Sequence, residues 1–399
     1  MRSSVGAAGV LAALREKYSL DPPYLRPAMI LRDDGEQTAT ALCEFDAPDG
    51  DWEPKPTDLE WLTLAEADPQ ALAPPELAPF VEKWLAIARG APIPKARPPW
   101  ARAGWLAEAS AWMDARIGDA GLQPDGPLEV VEQWPLSSVL RRATGHGRVY
   151  VKAAFSIFHH EPALTRALGA EHPTLVPEVL AVELERGWML MREVPGTLIC
   201  DLDVERWSEA LPSAAAIHLH WAGRADELFQ LGATDRTLAA LASEIRSTFE
   251  AVELVVDDRT ASRLEEACEE LSRGPLPQTL VHGDLHPWNV MADGNELRIF
   301  DWSDACVSHP SFDLPTFLIR RADVAARRAL LDAYLDEWTS VASRDELLRA
   351  YALAEPLAHV HHAISYLQIS EALEPDDRWW FDDAPKRWLD RALESLEAA

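Results

Sequence analysis

The sequence predicts an α+β chain in which a sheet-rich part precedes a helical part, with an additional region ahead of both. Three observations predict it. Between Leu128 and Val194, short runs alternate apolar and polar residues around turn signals, the two-residue period of strands. From Pro195 onward, nearly every segment spaces its apolar residues as a helix does. The run APIPKARPPW at 91–100 holds four prolines in ten residues and separates the first region from the rest.

The elements follow in order. The run MILRDDGEQTATALCEFDAPDGDWEP (29–54) alternates around turns and reads as strands. DLEWLTLAEADPQAL (58–72) then reads as a turn. PPELAPFVEKWLAIARG reads as a helix, with Pro74 and Pro75 at its start and Gly90 just past its end. ARAGWLAEASAWMDARIGDAG is an amphipathic helix with Trp105, Leu106, Ala109 and Trp112 at helical spacing. LEVVEQW, SVLRRA and RVYVKAAF are three strands, the last two joined by Thr144-Gly145-His146-Gly147. EPALTRALGAEH is a helix, and VLAVEL and WMLMREV complete a mixed sheet of about five strands. Helices are expected near 204–221, 236–250 and 258–273, a strand–loop–strand at 279–301, and helices again over 314–396. The expected divisions are 1–95 (accessory), 96–125 (linker and helix), 126–194 (sheet lobe) and 195–399 (helical lobe).

Composition narrows the class. The 399 residues hold 66 acidic and 37 basic side chains, a net charge of −29, which repels nucleic acid and anionic membrane. The excess reads either as plain solubility or as part of a pocket for a cationic substrate. The cysteines Cys43, Cys200, Cys268 and Cys306 form no CxxC pair, which suits a reducing cytoplasm and argues against a cysteine-rich zinc site. The opening MRSSVGAAGVLAAL has a short apolar run and no clean cleavage site, so it reads as a frayed start or a short helix. No stretch approaches the roughly 20 apolar residues that cross a bilayer.

The chemistry concentrates in LVHGDLHPWNVM and LRIFDWSDA. Asp284 is followed five residues later by Asn289, and Asp301 ends the apolar run LRIF. Phosphoryl transfer from ATP asks a protein for little covalent chemistry. It needs metal ions to hold the phosphates and a positioned acceptor for a hydroxyl proton. Magnesium takes hard oxygen ligands and keeps several waters, so a carboxylate and an amide oxygen suffice, and Asn289 and Asp301 supply them. Asp284 is then the carboxylate that orients and accepts from the attacking hydroxyl.

These residues, with His282, Gly283, Trp302 and Asp313 of HPSFDL, resemble the aminoglycoside phosphotransferase and choline kinase family of the protein-kinase-like superfamily. The likeness covers roughly 125–370. It implies a bilobal fold with a small mixed or antiparallel β N-lobe and a helical C-lobe, ATP and Mg2+ as cofactors, and a small-molecule hydroxyl acceptor such as an amino sugar or amino alcohol. It also implies that Lys152, at the end of the alternating VYVKA, pairs with a helix glutamate to hold the phosphates. Glu161 is the first candidate for that glutamate, and Glu171 competes with it. In place of a glycine-rich loop stands WPLSS. There Ser137 and Ser138 either cap the phosphates or sit in a plain hairpin. The resemblance makes 189–194 the hinge, with Met191 and Val194 flanking adenine. His286 either braces its loop or touches phosphate.

Acceptors in this family bind between the catalytic loop and the C-terminal helices. Here Asp376, Trp379 and Trp380 belong to a loop of carboxylates beside aromatic rings. It suits an amine, or is a solvated loop pinned by its tryptophans. Glu355, His359 and His362 share one helix face near it and are further candidates. Residues 1–95 resemble the second half of a Nudix-type domain without its glutamate-rich helix, which implies a non-catalytic role. A silent nucleotide-binding scaffold or sensor is the competing reading of the whole chain.

Overall fold

The computed structural model describes residues 7–33, 38–46, 62–71, 74–320 and 323–398, with the side chains of 28–40 left out. The middle of the expected strand run, its end beyond residue 46, and residues 58–61 and 72 of the expected turn therefore lie outside the described residues. The chain forms two compact units, one of 1–155 with 372–380, the other of 156–371 with 381–399. They are cut elsewhere than at 95, 125 and 194, boundaries that follow motif content.

The first unit opens with helix α1 (Ala7–Tyr18), then the antiparallel pair β1 (Tyr24–Asp33) and β2 (Thr38–Phe45). Helix α2 (Ala78–Ala88) follows a short proline-started turn. It closes at Gly90, whose φ of 104° only glycine adopts freely. Helix α3 (Trp105–Asp119) buries Trp105, Ala109, Met113 and Ile117, while Leu106 and Trp112 stay partly exposed. The inner stripe is therefore stepped by four residues, and the expected stripe through Leu106 and Trp112 is corrected.

Strands β3 (Glu129–Trp134), β4 (Ser137–Thr144) and β5 (Gly147–Ala154) form an antiparallel meander. The expected turn joins β4 to β5, with Gly147 at φ 98° and the Thr144 hydroxyl donating to the Gly147 carbonyl at 2.6 Å.

Polar side chains join the N-terminal residues to this meander. The buried Gln133 amide donates to the carbonyls of Tyr24 (2.6 Å) and Leu25 (2.7 Å). Trp100 Nε1 donates to the Trp134 carbonyl at 2.8 Å. The proline-rich stretch expected as a linker thus carries two buried anchors, Arg97 and Trp100. Arg97 makes a two-pronged pair with Glu374 (2.9 and 2.8 Å). Arg26 binds Glu44 (2.9 Å) and Asp377 (3.2 Å), and all five groups are buried.

Three carboxylates face two guanidinium groups in this network. Burial lifts the Asp377 carboxyl to about 6 against the pull of Arg26. A lysine at position 97 keeps the charge but loses the planar fork. Arg97→Lys is therefore expected to lower unfolding stability by about 1.5–3 kcal/mol, read from urea titrations. No change would mean that the fork contributes nothing.

The second unit holds the segments with Asp284, Asn289 and Asp301. It begins with α4 (Glu161–Glu171) and the hairpin of β6 (Val179–Glu183) and β7 (Trp188–Arg192). Next come β8 (Thr197–Leu198), α5 (Val204–Trp221), α6 (Ala225–Gln230) and β9 (Thr234–Asp235). The pair α7 (Leu238–Ala251) and α8 (Asp258–Arg273) is N-capped by Thr237 and Asp257, which accept from Ala240 and Thr260 amides.

Strand β10 (Thr279–Val281) leads into the loop that carries Asp284 and Asn289, and β11 (Val290–Asp293) and β12 (Glu296–Ile299) form the hairpin after it. Strand β13 (Cys306–Ser308) pairs antiparallel with β10 and parallel with β9. Helices α9 (Asp313–Leu318), α10 (Val324–Asp336), α11 (Arg344–Ala372) and α12 (Ala384–Ala398) complete the unit around buried Trp302, Phe312, Phe317 and Trp338. No helix among the described residues is long and apolar enough to cross a membrane.

Candidate active site

Short strands position the loop. β10 ends at Val281, and the chain must turn sharply while keeping its backbone polar groups bonded. Gly283 makes the turn at φ 83°. A Cβ there would lie 2.1 Å from the Asp304 carbonyl, so no other residue fits.

Four hydrogen bonds then form a closed circuit. Asp284 N–H donates to His282 Nδ1 (3.4 Å), and His282 Nε2 lies 3.0 Å from the Phe300 carbonyl. Phe300 N–H donates to the Asn289 carbonyl (3.0 Å), and Asn289 Nδ2 donates to the Asp284 carbonyl (3.1 Å). His282 Nδ1 accepts, so its proton sits on Nε2 and the ring is neutral. Burial depresses the His282 pKa more than Asp313 and the Phe300 carbonyl raise it. The circuit ties Asp284 and Asn289 to the residue before Asp301, so the three expected groups meet in one place.

Asp301 has φ 69° and ψ 61°, a left-handed conformation rare for a residue with a side chain and stored at functional sites. Its Oδ1 accepts from the Ser303 hydroxyl at 3.0 Å. Trp302, 1% exposed, packs its ring 4.6 Å from that of His282. The Asn289 amide nitrogen is used on Asp284, which leaves its oxygen as the remaining ligand atom. A hard cation could be met here by that oxygen and by Asp301.

Burial works to raise the Asp284 pKa, but the His286 ring, 3.4 Å from Oδ2, and nearby His362 and His282 hold it below the usual range. His286 thus sits against the carboxylate.

A buried aspartate holds the loop from below. Asp313, 1% exposed, accepts from the amides of His282 (2.8 Å) and Gly283 (2.9 Å). His218 Nε2 lies 3.0 Å from the same carboxylate, and His218 Nδ1 lies 2.7 Å from the Tyr334 hydroxyl. Burial favours the protonated Asp313, yet His218 and the loop donors outweigh it and lower its pKa. The role of His218 is not foreseen from sequence, because its partner lies 95 positions away.

The other expected residues divide between the units. Lys152, Ser137, Ser138, Asp376, Trp379 and Trp380 belong to the first. Lys152 lies on β5 opposite Val139 and is 9% exposed. The buried Ser138 hydroxyl donates to Gln133 (2.9 Å), and Ser137 accepts from Trp134 Nε1 (2.8 Å). Asp376 pairs with Lys83, and the rings of Trp379 and Trp380 stack at 4.6 Å.

Glu161, Met191, Val194 and Glu355 belong to the second unit. Glu161 is fully buried in the first turn of α4, and Met191 and Val194 are half-buried. Glu355 accepts from the Tyr351 hydroxyl (3.0 Å), and burial raises its pKa. His359 and His362 turn onto Trp388, with the His362 ring stacked at 4.4 Å. Both rings are buried.

Buried histidines make this unit acid-sensitive. Burial holds His309 and His359 down to about 3 and His362 to about 4. The unfolded chain binds those protons near pH 6.5. Their stabilising contribution is complete above that pH and is lost as pH falls toward 4, on the order of 1–2 kcal/mol each at pH 5. Asp377, raised to about 6, works in the opposite sense over part of the range, and one carboxyl does not offset three imidazoles. The urea midpoint is expected to fall between pH 7.5 and 5. A midpoint that holds or rises would contradict buried neutral rings.

The fold is that of the protein-kinase-like phosphotransferases. A sequence model of the phosphotransferase enzyme family matches residues 136–347, and the chain belongs to that family. A choline/ethanolamine kinase family protein from Mesorhizobium loti superposes with a TM-score of 0.51 at 18% identity, over 73% of this chain and 94% of that one. Choline kinase from Streptococcus pneumoniae gives 0.51 at 14% identity, over 73% and 100%. Ethanolamine kinase from Plasmodium vivax gives 0.51 at 10%, over 83% and 95%. At such identities the likeness carries the fold alone. No curated protein matches the sequence.

Proposed function

We propose that the protein transfers the γ-phosphoryl group of Mg-ATP to a hydroxyl of a small molecule. The observation that carries this reading is the hydrogen-bonded circuit that holds Asp284 and Asn289 beside the strained Asp301. An amide oxygen and a carboxylate are the hard donors that magnesium prefers, and the left-handed backbone at 301 is a conformation that function would justify. When bound, the metal ion neutralises phosphate charge.

In this reading Asp284 stays ionised across the working range, because its pKa is lowered. It orients the acceptor hydroxyl and takes its proton as the new O–P bond forms and the bond to ADP breaks. Lys152 meets the phosphates, Glu161 orients Lys152, and Met191 and Val194 flank adenine. The hydroxyl of Ser138 is already engaged, so the turn before it would cover the phosphates with backbone N–H groups. Asp376, Trp379, Trp380 and Glu355 remain candidates for an amine-bearing acceptor.

The full chain is tested by thermal shift with ATP, with and without magnesium. A ligand at a hundredfold excess over its Kd adds about 2.7 kcal/mol to stability. Stabilisation that requires magnesium supports the reading. Equal stabilisation without the metal would favour a nucleotide-binding scaffold.

A further inference from the structure

The second unit contains a half-open cavity of about 290 Å³ beside the catalytic loop. Its wall includes Phe158, Arg236, Ser303, Asp304, Ser365 and Gln368. Two of these tie it to the groups already described. Ser303 donates to Asp301 Oδ1, and the Asp304 carbonyl is the atom against which Gly283 fits. His361, also on the wall, is buried, and the Gly283 backbone and Asp284 both act on its titration. The segment after Asp301 is therefore a cavity wall, and the loop that carries Asp284 packs against that segment at Gly283.

Size and chemistry narrow what fits. The volume is at the lower edge of the roughly 300–1,000 Å³ of small-molecule sites. It holds about ten waters, the room of one sugar ring and not of a multi-ring antibiotic. The wall offers hydroxyls, an amide, a carboxylate and a guanidinium beside the apolar side chains of Ile157, Cys306 and Ile369. Arg236 is 3% exposed, with Nη1 on Glu244 (3.1 Å) and Nη2 on Gln368 (2.6 Å), while its Nε has no hydrogen-bond partner. Its charge is thus balanced and its fork held rigid. A quaternary ammonium needs a cage of aromatic faces. Here Phe158 supplies one phenyl ring, suited to the C–H face of a sugar.

We infer that this cavity seats the acceptor, and that the acceptor is a compact, hydroxyl-rich molecule the size of a single sugar. The inference rests on the phosphotransfer reading above and adds the substrate class to it.

The test titrates glucose, ribose, glucosamine, sorbitol, kanamycin and choline calorimetrically into the full chain, with and without AMP-PNP. Wild type is compared with Ser365→Phe, which fills the cavity, and with Gln368→Leu at its exposed mouth, each checked by circular dichroism. Gln368→Leu keeps the test valid if the larger side chain prevents folding. At least one single-sugar compound is expected to bind wild type and to weaken by about tenfold or more in the variants. Binding of kanamycin or choline above every single-sugar compound overturns the inference. So does sugar affinity that neither substitution changes, or no sugar binding at all.

ADP release is then measured with the bound compound, in wild type and in Asp284→Asn. Release that depends on Asp284 with choline alone sinks the cavity and leaves phosphotransfer standing. A sugar that binds in the cavity without Asp284-dependent release sinks the phosphotransfer reading and the acceptor role with it.

Discussion

Asp284→Asn is expected to lower kcat by about 10²–10⁴-fold, the usual contribution of a positioned proton acceptor. The amide matches the carboxylate in shape, and the backbone N–H and C=O of residue 284 keep their places on His282 and Asn289. The circuit therefore survives, and nucleotide affinity should stay near wild type. What is lost is the anion proposed to accept the hydroxyl proton, together with its contact to His286. The decisive comparison is kcat against nucleotide Kd in the same preparation. A variant that keeps more than about a tenth of the wild-type rate would remove Asp284 from the proposed role.

Asp313→Ala is expected to cost at least about 3 kcal/mol of unfolding stability. The wild-type carboxylate accepts from two loop amides and from His218, in a site 1% exposed. Alanine would leave those donors buried without a partner, at about 1–3 kcal/mol for each. A domain is stable by only about 5–15 kcal/mol in all, so the variant should be marginal at 37 °C. Asp313→Asn separates charge from shape. Its amide group can replace only one acceptor, so it should recover part of the loss. Urea unfolding of both variants checks this. A loss below about 1 kcal/mol for alanine would mean that water or backbone movement satisfies the loop.

How far the site was legible depends on where each partner lies in sequence. HGDLHPWN and DWSDA stand out in the sequence because they gather carboxylates, an amide and imidazoles into a few positions between short strands. The hairpin around Gly147 was readable because only certain residues tolerate that turn. Trp105, Leu106, Ala109 and Trp112 all lie on α3 as expected, but only Trp105 and Ala109 are on its buried face. A short amphipathic stretch permits two overlapping stripes, and packing chooses between them.

Other features depended on distance. Arg97 and Glu374 are 277 positions apart, and Arg26 and Asp377 are 351 apart. Neither pair carries a local signal. His359 and His362 looked like a polar helix face because spacing does not reveal Trp388 lying against it.

The linear order of residues determined the class of protein, the secondary elements and the identity of the loop groups, since all of these follow from period, turn chemistry and short spacing. Only the folded chain decided which histidines are buried supports, how Asp313 holds the loop, and that a cavity of one-sugar size borders it. Those depend on side chains far apart in sequence meeting where water is excluded, and there an unpaired polar group is too costly to keep.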